Sequence, residues 1–106
     1  MNCNERRDKE NRLTVCVSGV PLFLFIFKKR RIMKRFSLSA TSNKINSPDI
    51  KSQLYVGPNN EKIRIEWDIW EGMCIIAEDG DSEDLLHKIS EYLCSKANLD
   101  TKSDNQ

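Results

Sequence analysis

Residues 61–70 carry the clearest pattern in the chain. Ile63, Ile65, Trp67 and Ile69 alternate with Lys62, Arg64, Glu66, Asp68 and Trp70. A period of two is that of a half-buried strand. Residues 73–78 read as a further strand, and Glu71-Gly72 between them as a tight turn, so the two runs predict a hairpin. Upstream, Phe36, Leu38 and Ala40 alternate with serines over residues 36–40 and predict a strand. Residues 41–52 are polar and read as a loop, residues 53–56 as a short strand, and Gly57-Pro58-Asn59-Asn60 as a turn.

After Asp79-Gly80 the period changes. Leu85, Leu86, Ile89, Tyr92 and Leu93 form one helical stripe. Asp81 or Ser82 can cap that helix, and Glu83 and Asp84 suit its positive end. The expected fold is therefore α+β: a four-stranded, mainly antiparallel sheet with one C-terminal helix packed on one face, in the order ββββα. Residues 33–97 make up this domain, and residues 98–106 read as a disordered polar tail. A core of this size is marginal, which makes a homodimer one route to stability.

The first third differs. Residues 13–27 are apolar and uncharged, and Lys28-Lys29-Arg30-Arg31 follows directly. Fifteen residues fall short of the ~20 that a helix needs to cross a bilayer. A cationic exit in place of small residues argues against a cleaved signal peptide. Two readings of residues 1–32 stay open. One is a short single-pass anchor, lengthened by snorkelling lysines and arginines, with the domain in the cytosol. The other is a leader outside the native protein, with Met33 as the start. Residues 28–32 can be encoded by a purine-rich stretch that contains a bacterial ribosome-binding sequence. On that reading the protein is cytoplasmic, and a membrane enters only if residues 1–32 are part of it.

Charge sharpens the division. Residues 1–32 hold eight Lys/Arg and three Asp/Glu; residues 33–106 hold nine and thirteen. The acidic domain argues against a nucleic-acid partner, because it repels phosphate. Cys3, Cys16, Cys74 and Cys94 lack the paired spacing of a zinc site. They read as free thiols in a reducing compartment, with a Cys74–Cys94 bridge only if the fold brings the two together. Asp79, Asp81 and Glu83 have the start of a calcium-loop spacing, but Asp84 and Ser90 stand where that loop needs Gly and Glu. His87 lies between Glu83 and Glu91 without a nucleophile or a glycine-rich phosphate loop to serve. No catalytic residue, metal or cofactor is expected.

The hairpin supplies the functional expectation. A two-residue turn pairs Trp70 with Met73, Asp68 with Ile75 and Glu66 with Ala77. Glu66, Asp68, Trp70, Met73 and Ile75 then share the face away from the helix, an apolar cluster with an acidic rim. A three-residue bulged turn would flip that parity. Residues 61–91 hold ten Asp/Glu against three Lys/Arg, which steers toward a basic partner. The expected function is a small non-enzymatic acidic protein-binding domain, akin in type to bacterial immunity proteins and antitoxins. The alternatives are a single-pass membrane protein with a cytosolic regulatory domain, and a small enzyme.

Overall fold

The computed structural model describes residues 2–105, with side chains placed for residues 2–94. The chain runs β1 (Cys3–Arg7), β2 (Leu13–Val17), α1 (Leu22–Arg35), β3 (Ser39–Asn46), β4 (Ile50–Val56), β5 (Lys62–Asp68), β6 (Gly72–Ala77), a 3-10 turn over Gly80–Ser82, and α2 (Glu83–Asn105). The strands form one sheet in the order β1-β2-β6-β5-β4-β3, with every neighbouring pair antiparallel. The expected four-stranded sheet with one helix is thus replaced by a six-stranded sheet with two helices. Residues 1–32 cause the difference, since they supply β1, β2 and most of α1.

The apolar run of residues 13–27 breaks at Ser18–Pro21. Gly19 there has φ +74°, a conformation that favours glycine. Ahead of the break, all five residues of β2 are buried. A strand with neighbours on both sides and cover on both faces shows no alternation, which is why it read as one long apolar stretch. Beyond the break, Phe25 and Ile32 of α1 are buried seven positions apart. No helix among the described residues is long and apolar enough to cross a membrane.

Both helices lie on one face of the sheet. Leu85, Leu86, Ile89 and Leu93 of α2 pack on Val15 and Val17 of β2 and on Met73, Ile75 and Ala77 of β6. Phe25 of α1 lies against Trp67 of β5, ring centroids 6.3 Å apart, and the Trp67 indole N–H donates to Val20 O at 2.7 Å. The backbone of α2 continues through most of the segment expected to be a disordered tail; the side chains of residues 95–105, and Gln106, lie outside the description.

The other face carries no helix. Long charged side chains shield it, and Thr14, Cys16, Cys74 and Ile76 are buried beneath them. Glu78 is the hub: Arg64 Nε donates to one carboxylate oxygen at 2.7 Å, and Arg12 Nη1 donates to the other at 2.5 Å. Arg12 also donates to Asp8, whose Oδ1 accepts from the N–H groups of Glu10 and Arg12. Burial pushes the carboxyls of Glu78 and Asp8 up, but these hydrogen bonds outweigh it and hold both below the usual range.

The β5–β6 hairpin turns through three residues, not two. Asp68 pairs with Gly72, and Ile69, Trp70 and Glu71 form the loop. Asp68 Oδ1 accepts from the N–H groups of Trp70 and Glu71, at 2.9 and 2.5 Å, and Gly72 takes φ +87°. The pairs become Trp67–Met73, Glu66–Cys74 and Ile65–Ile75. This register differs from the expected one by three positions, an odd number, so β6 turns its other side to the helices.

Two stability measurements follow. A Cβ on Gly72 would lie 2.6 Å from the carbonyl oxygen of Val17, whereas one on Gly19 meets open space. Urea titration will show Gly72→Ala losing about 2–4 kcal/mol and Gly19→Ala about 1 kcal/mol. Glu78 and Asp8 have lowered folded pKa values, so their stabilisation is present above the unfolded carboxylate value near ~4 and is lost as pH falls through the folded values. Glu78→Gln will cost about 1–3 kcal/mol at neutral pH, and its stability will decline less steeply in acid than the parent's.

Candidate functional site

The strand pairings bring three connections to one end of the sheet. Val17 pairs with Met73, Asp68 with Gly72, Ile50 with Asp68, and Asn46 with Lys51. The β2–α1 turn, the β5–β6 loop and the β3–β4 turn therefore lie together, and α1 begins there. Among the residues with described side chains, all seven exposed large hydrophobics belong to this end: Phe23, Ile26 and Phe27 from the first two turns of α1, Ile45 and Ile50 flanking the β3–β4 turn, and Ile69 and Trp70 in the β5–β6 loop. Trp70 is 73% exposed and Phe23 72%. Scattered single apolar residues are ordinary on a protein surface; a gathering at one end is not.

Cations run along α1 from this apolar end toward the opposite one. α1 carries Lys28, Lys29, Arg30, Arg31, Lys34 and Arg35 and no acidic residue. None of the six has a carboxylate partner among the described residues, whereas Arg6, Arg7, Arg12 and Arg64, the arginines outside α1, are all ion-paired. Three of the α1 cations instead sit over aromatic rings: Lys29 over Phe25, Arg31 over Phe27 and Arg35 over Tyr92, 4.7–5.4 Å from the ring centres. Lys29 is half-buried between α1 and the outer strands. Burial first, and then Arg30, Lys44 and Lys51, push its amine down.

The opposite end of the sheet is acidic. Asp8 and Glu10 follow β1, Glu61 precedes β5, and Glu78, Asp79, Asp81, Glu83 and Asp84 lead into α2. Arg7 holds Glu83, with Nη1 donating at 2.7 Å, and lowers its carboxyl through that hydrogen bond. Asp79, Asp81 and Asp84 form no ion pair with a described residue. The acids that lead into α2 thus lie at the end of the sheet opposite the exposed apolar residues, with Arg7, Lys9, Arg12 and Lys62 among them, while Asp49, Asp68 and Glu71 lie at the apolar end.

The five residues expected to form a partner site are divided by the hairpin register. Met73 and Ile75 are fully buried under α2. Glu66 and Asp68 stay on the open face, where Glu66 accepts from Ser52 at 3.0 Å and Asp68 holds the loop. Only Trp70 joins the exposed apolar end. Phe23 and Phe27 were missed because they sit in a run read as a leader or an anchor, and Ile45 and Ile50 because they sit within residues 41–52, read as a polar loop. His87 is exposed on α2, with Nδ1 3.6 Å from Glu5.

The cysteines depart from the expected free thiols. Cys3 of β1 is bonded to Cys94 of α2, with Cα atoms 5.9 Å apart, and Cys16 is bonded to its cross-strand neighbour Cys74. Sequence spacing carries no signal for either pair, since 91 and 58 positions separate the partners. Glu71 stands beside the second bridge and would complete a three-donor cluster with Cys16 and Cys74. The bridged sulfurs do not fit a metal, which binds thiolates. Non-reducing peptide mapping will recover Cys3–Cys94 and Cys16–Cys74. Cys3→Ser/Cys94→Ser will lower the unfolding free energy by about 4–5 kcal/mol on a chain-entropy basis.

Set beside known proteins, the chain finds no match among protein-family models, curated proteins or solved structures.

Proposed function

We propose that this protein is a non-enzymatic domain that docks reversibly on an anionic membrane surface, with α1 and the adjoining loops as its contact. One observation carries the reading. Among the residues with described side chains, the exposed large hydrophobics gather at one end, beside Lys28, Lys29, Arg30 and Arg31 in the middle of an acid-free helix, none of them with a carboxylate partner among those residues. Aromatic and aliphatic side chains at the acyl boundary, with Lys and Arg beside them, are the composition of interfacial helices. Trp70 and Phe23 suit the boundary, where an amphipathic or aromatic ring is favoured. Each cation near an anionic leaflet contributes about 1 kcal/mol, and each buried Phe about 1.5–3 kcal/mol. Those magnitudes give reversible binding.

The two disulfides support an oxidising compartment in place of the cytoplasm expected from the sequence. A second reading rests on the acidic end. Asp79, Asp81 and Asp84 are exposed and form no ion pair with a described residue, which supports a basic protein partner there.

Vesicle co-sedimentation tests the docking. The disulfide-bonded protein will bind vesicles of equal parts phosphatidylcholine and phosphatidylglycerol and will leave vesicles of phosphatidylcholine alone, with binding that weakens as salt is raised. Phe23→Ser/Phe27→Ser will bind at least about tenfold more weakly with its thermal midpoint unchanged. Equal binding by the variant, or no binding by the parent, would refute the reading.

A further inference from the structure

The two helices leave the outer strands partly uncovered. α2 lies over β2 and β6 and α1 over β5; on β4 the helix-side Tyr55 is fully buried in the core, while the helix-side positions nearer the β3–β4 turn stay partly open beside α1. Those positions are polar: Lys51 and Gln53 on β4, and their register partners Asn46 and Lys44 on β3. Between them and α1 runs an open groove of about 310 Å³. Lys29, Lys44 and Lys51 line it, Leu22, Ile26 and Ile45 provide apolar wall, and no carboxylate is among its lining residues. Lys51 Nζ donates to Asn46 Oδ1 at 2.5 Å, which directs the amine along the hairpin. Gln53 is held from both sides, with Nε2 donating to Thr41 O at 2.9 Å and Oε1 accepting from Tyr55 OH at 3.1 Å.

We infer that this groove is a binding site for a phosphate-bearing amphiphile, the headgroup of an anionic phospholipid, with the phosphate among Lys29, Lys44 and Lys51 and the apolar portion along Leu22, Ile26 and Ile45. The inference rests on the membrane-docking reading and gives it a specificity. Three ammonium groups in one groove repel one another, and a carboxylate on any lining residue would relieve this. An anion from outside the chain relieves it equally. The lowered pKa of Lys29, caused by burial and then by Arg30, Lys44 and Lys51, is the same repulsion felt at one amine. The volume suits a headgroup with its glycerol, at the small end of ligand pockets. Exposed Ile45 and half-exposed Ile26 mark the side from which acyl chains leave, toward the apolar end of the sheet.

The probes are short-chain dihexanoyl phosphatidylglycerol, dihexanoyl phosphatidylcholine and inorganic phosphate, each titrated into the intact disulfide-bonded protein and followed by amide shifts. The anionic lipid will shift the amides of Ile26, Lys29, Lys44, Lys51 and Gln53. It will bind at least about tenfold more tightly than inorganic phosphate at the same amides, the apolar wall supplying the difference. The zwitterionic lipid will bind more weakly than the anionic one. Lys44→Gln/Lys51→Gln will weaken the anionic lipid at least about tenfold, and its thermal midpoint will hold or rise because repulsion is removed. Unchanged affinity in that variant, shifts confined to other residues, or phosphate binding as tightly as the lipid would overturn the inference. The two readings fail separately. Vesicle binding that survives Lys44→Gln/Lys51→Gln but not Phe23→Ser/Phe27→Ser removes the groove and leaves the docking. Short-chain lipid in the groove of a protein that ignores vesicles does the reverse.

Discussion

Pairing of β2 with β6 is the constraint on which the rest of the structure depends. β3 to β6 form a meander whose neighbours follow one another in sequence, but β2 reaches its place beside β6 from about 60 residues away. Without that strand, β6 would be an edge, and α2 would cover half of what it now covers. The Cys16–Cys74 bond ties this one non-local seam at adjacent strand positions, and Cys3–Cys94 ties β1, one strand further out, to α2. Loop closure is costly before contacts reward it. Both covalent links span the long-range junctions and leave the local meander unlinked. Those links also give the disulfides a structural role that suffices to account for them, so Glu71 beside the second bridge calls for no metal.

The legible parts of the sequence were those with one buried face. Ile63, Ile65 and Trp67 alternate with Arg64 and Glu66 because β5 packs one side under the helices and turns the other, half-buried, to the open face. Leu85, Leu86, Ile89 and Leu93 form a stripe because α2 lies on the surface of the sheet. Elements with two equal faces were not legible. β2 is buried throughout and so resembled part of a membrane span; β3, an edge strand, is exposed almost throughout and so resembled a loop. Of the candidate site, only Trp70 could be placed. The parity of β6 turned on whether Gly72 closes a two-residue turn or takes the positive-φ position that ends a three-residue loop. Asp68 decides this physically, by accepting two loop N–H groups. Its signature, an acid three residues before an acidic-Gly pair, also fits other turns.

The charge asymmetry of the sequence does not map onto a leader and a domain. α1 brings its cations back over the sheet from the apolar end, and the acidic residues gather in the loops at the opposite end, where α2 starts. Acids at a helix N-terminus are stabilised by the helix dipole, so the acidic end has a structural cause that needs no partner. The cations of α1 are different in this respect. Only Lys34 and Arg35 lie in its last turn, where the dipole would favour them. Lys28, Lys29, Arg30 and Arg31 sit in its middle, away from any described carboxylate. The cationic surface is therefore the feature that folding alone does not explain.

The width of the layers determines where a ligand can enter. Six strands at about 4.8 Å spacing make a sheet about 24 Å across, and two helices about 10 Å wide cover about 20 Å of it. Here the helices sit toward one side, over β2, β6 and β5, and the uncovered strip falls on β4 and β3. Away from the buried Tyr55, the part of that strip nearest the β3–β4 turn does not need apolar residues, and Lys44, Lys51 and Gln53 occupy it. The strip nevertheless borders Ile26 and Lys29 of α1 on one side and Ile45 at the hairpin tip. A mixed groove, apolar along one wall and cationic along the other, thus follows from the mismatch between sheet and helices. That mixed character is what separates an amphiphile's headgroup from a bare anion, which would have no use for the apolar wall.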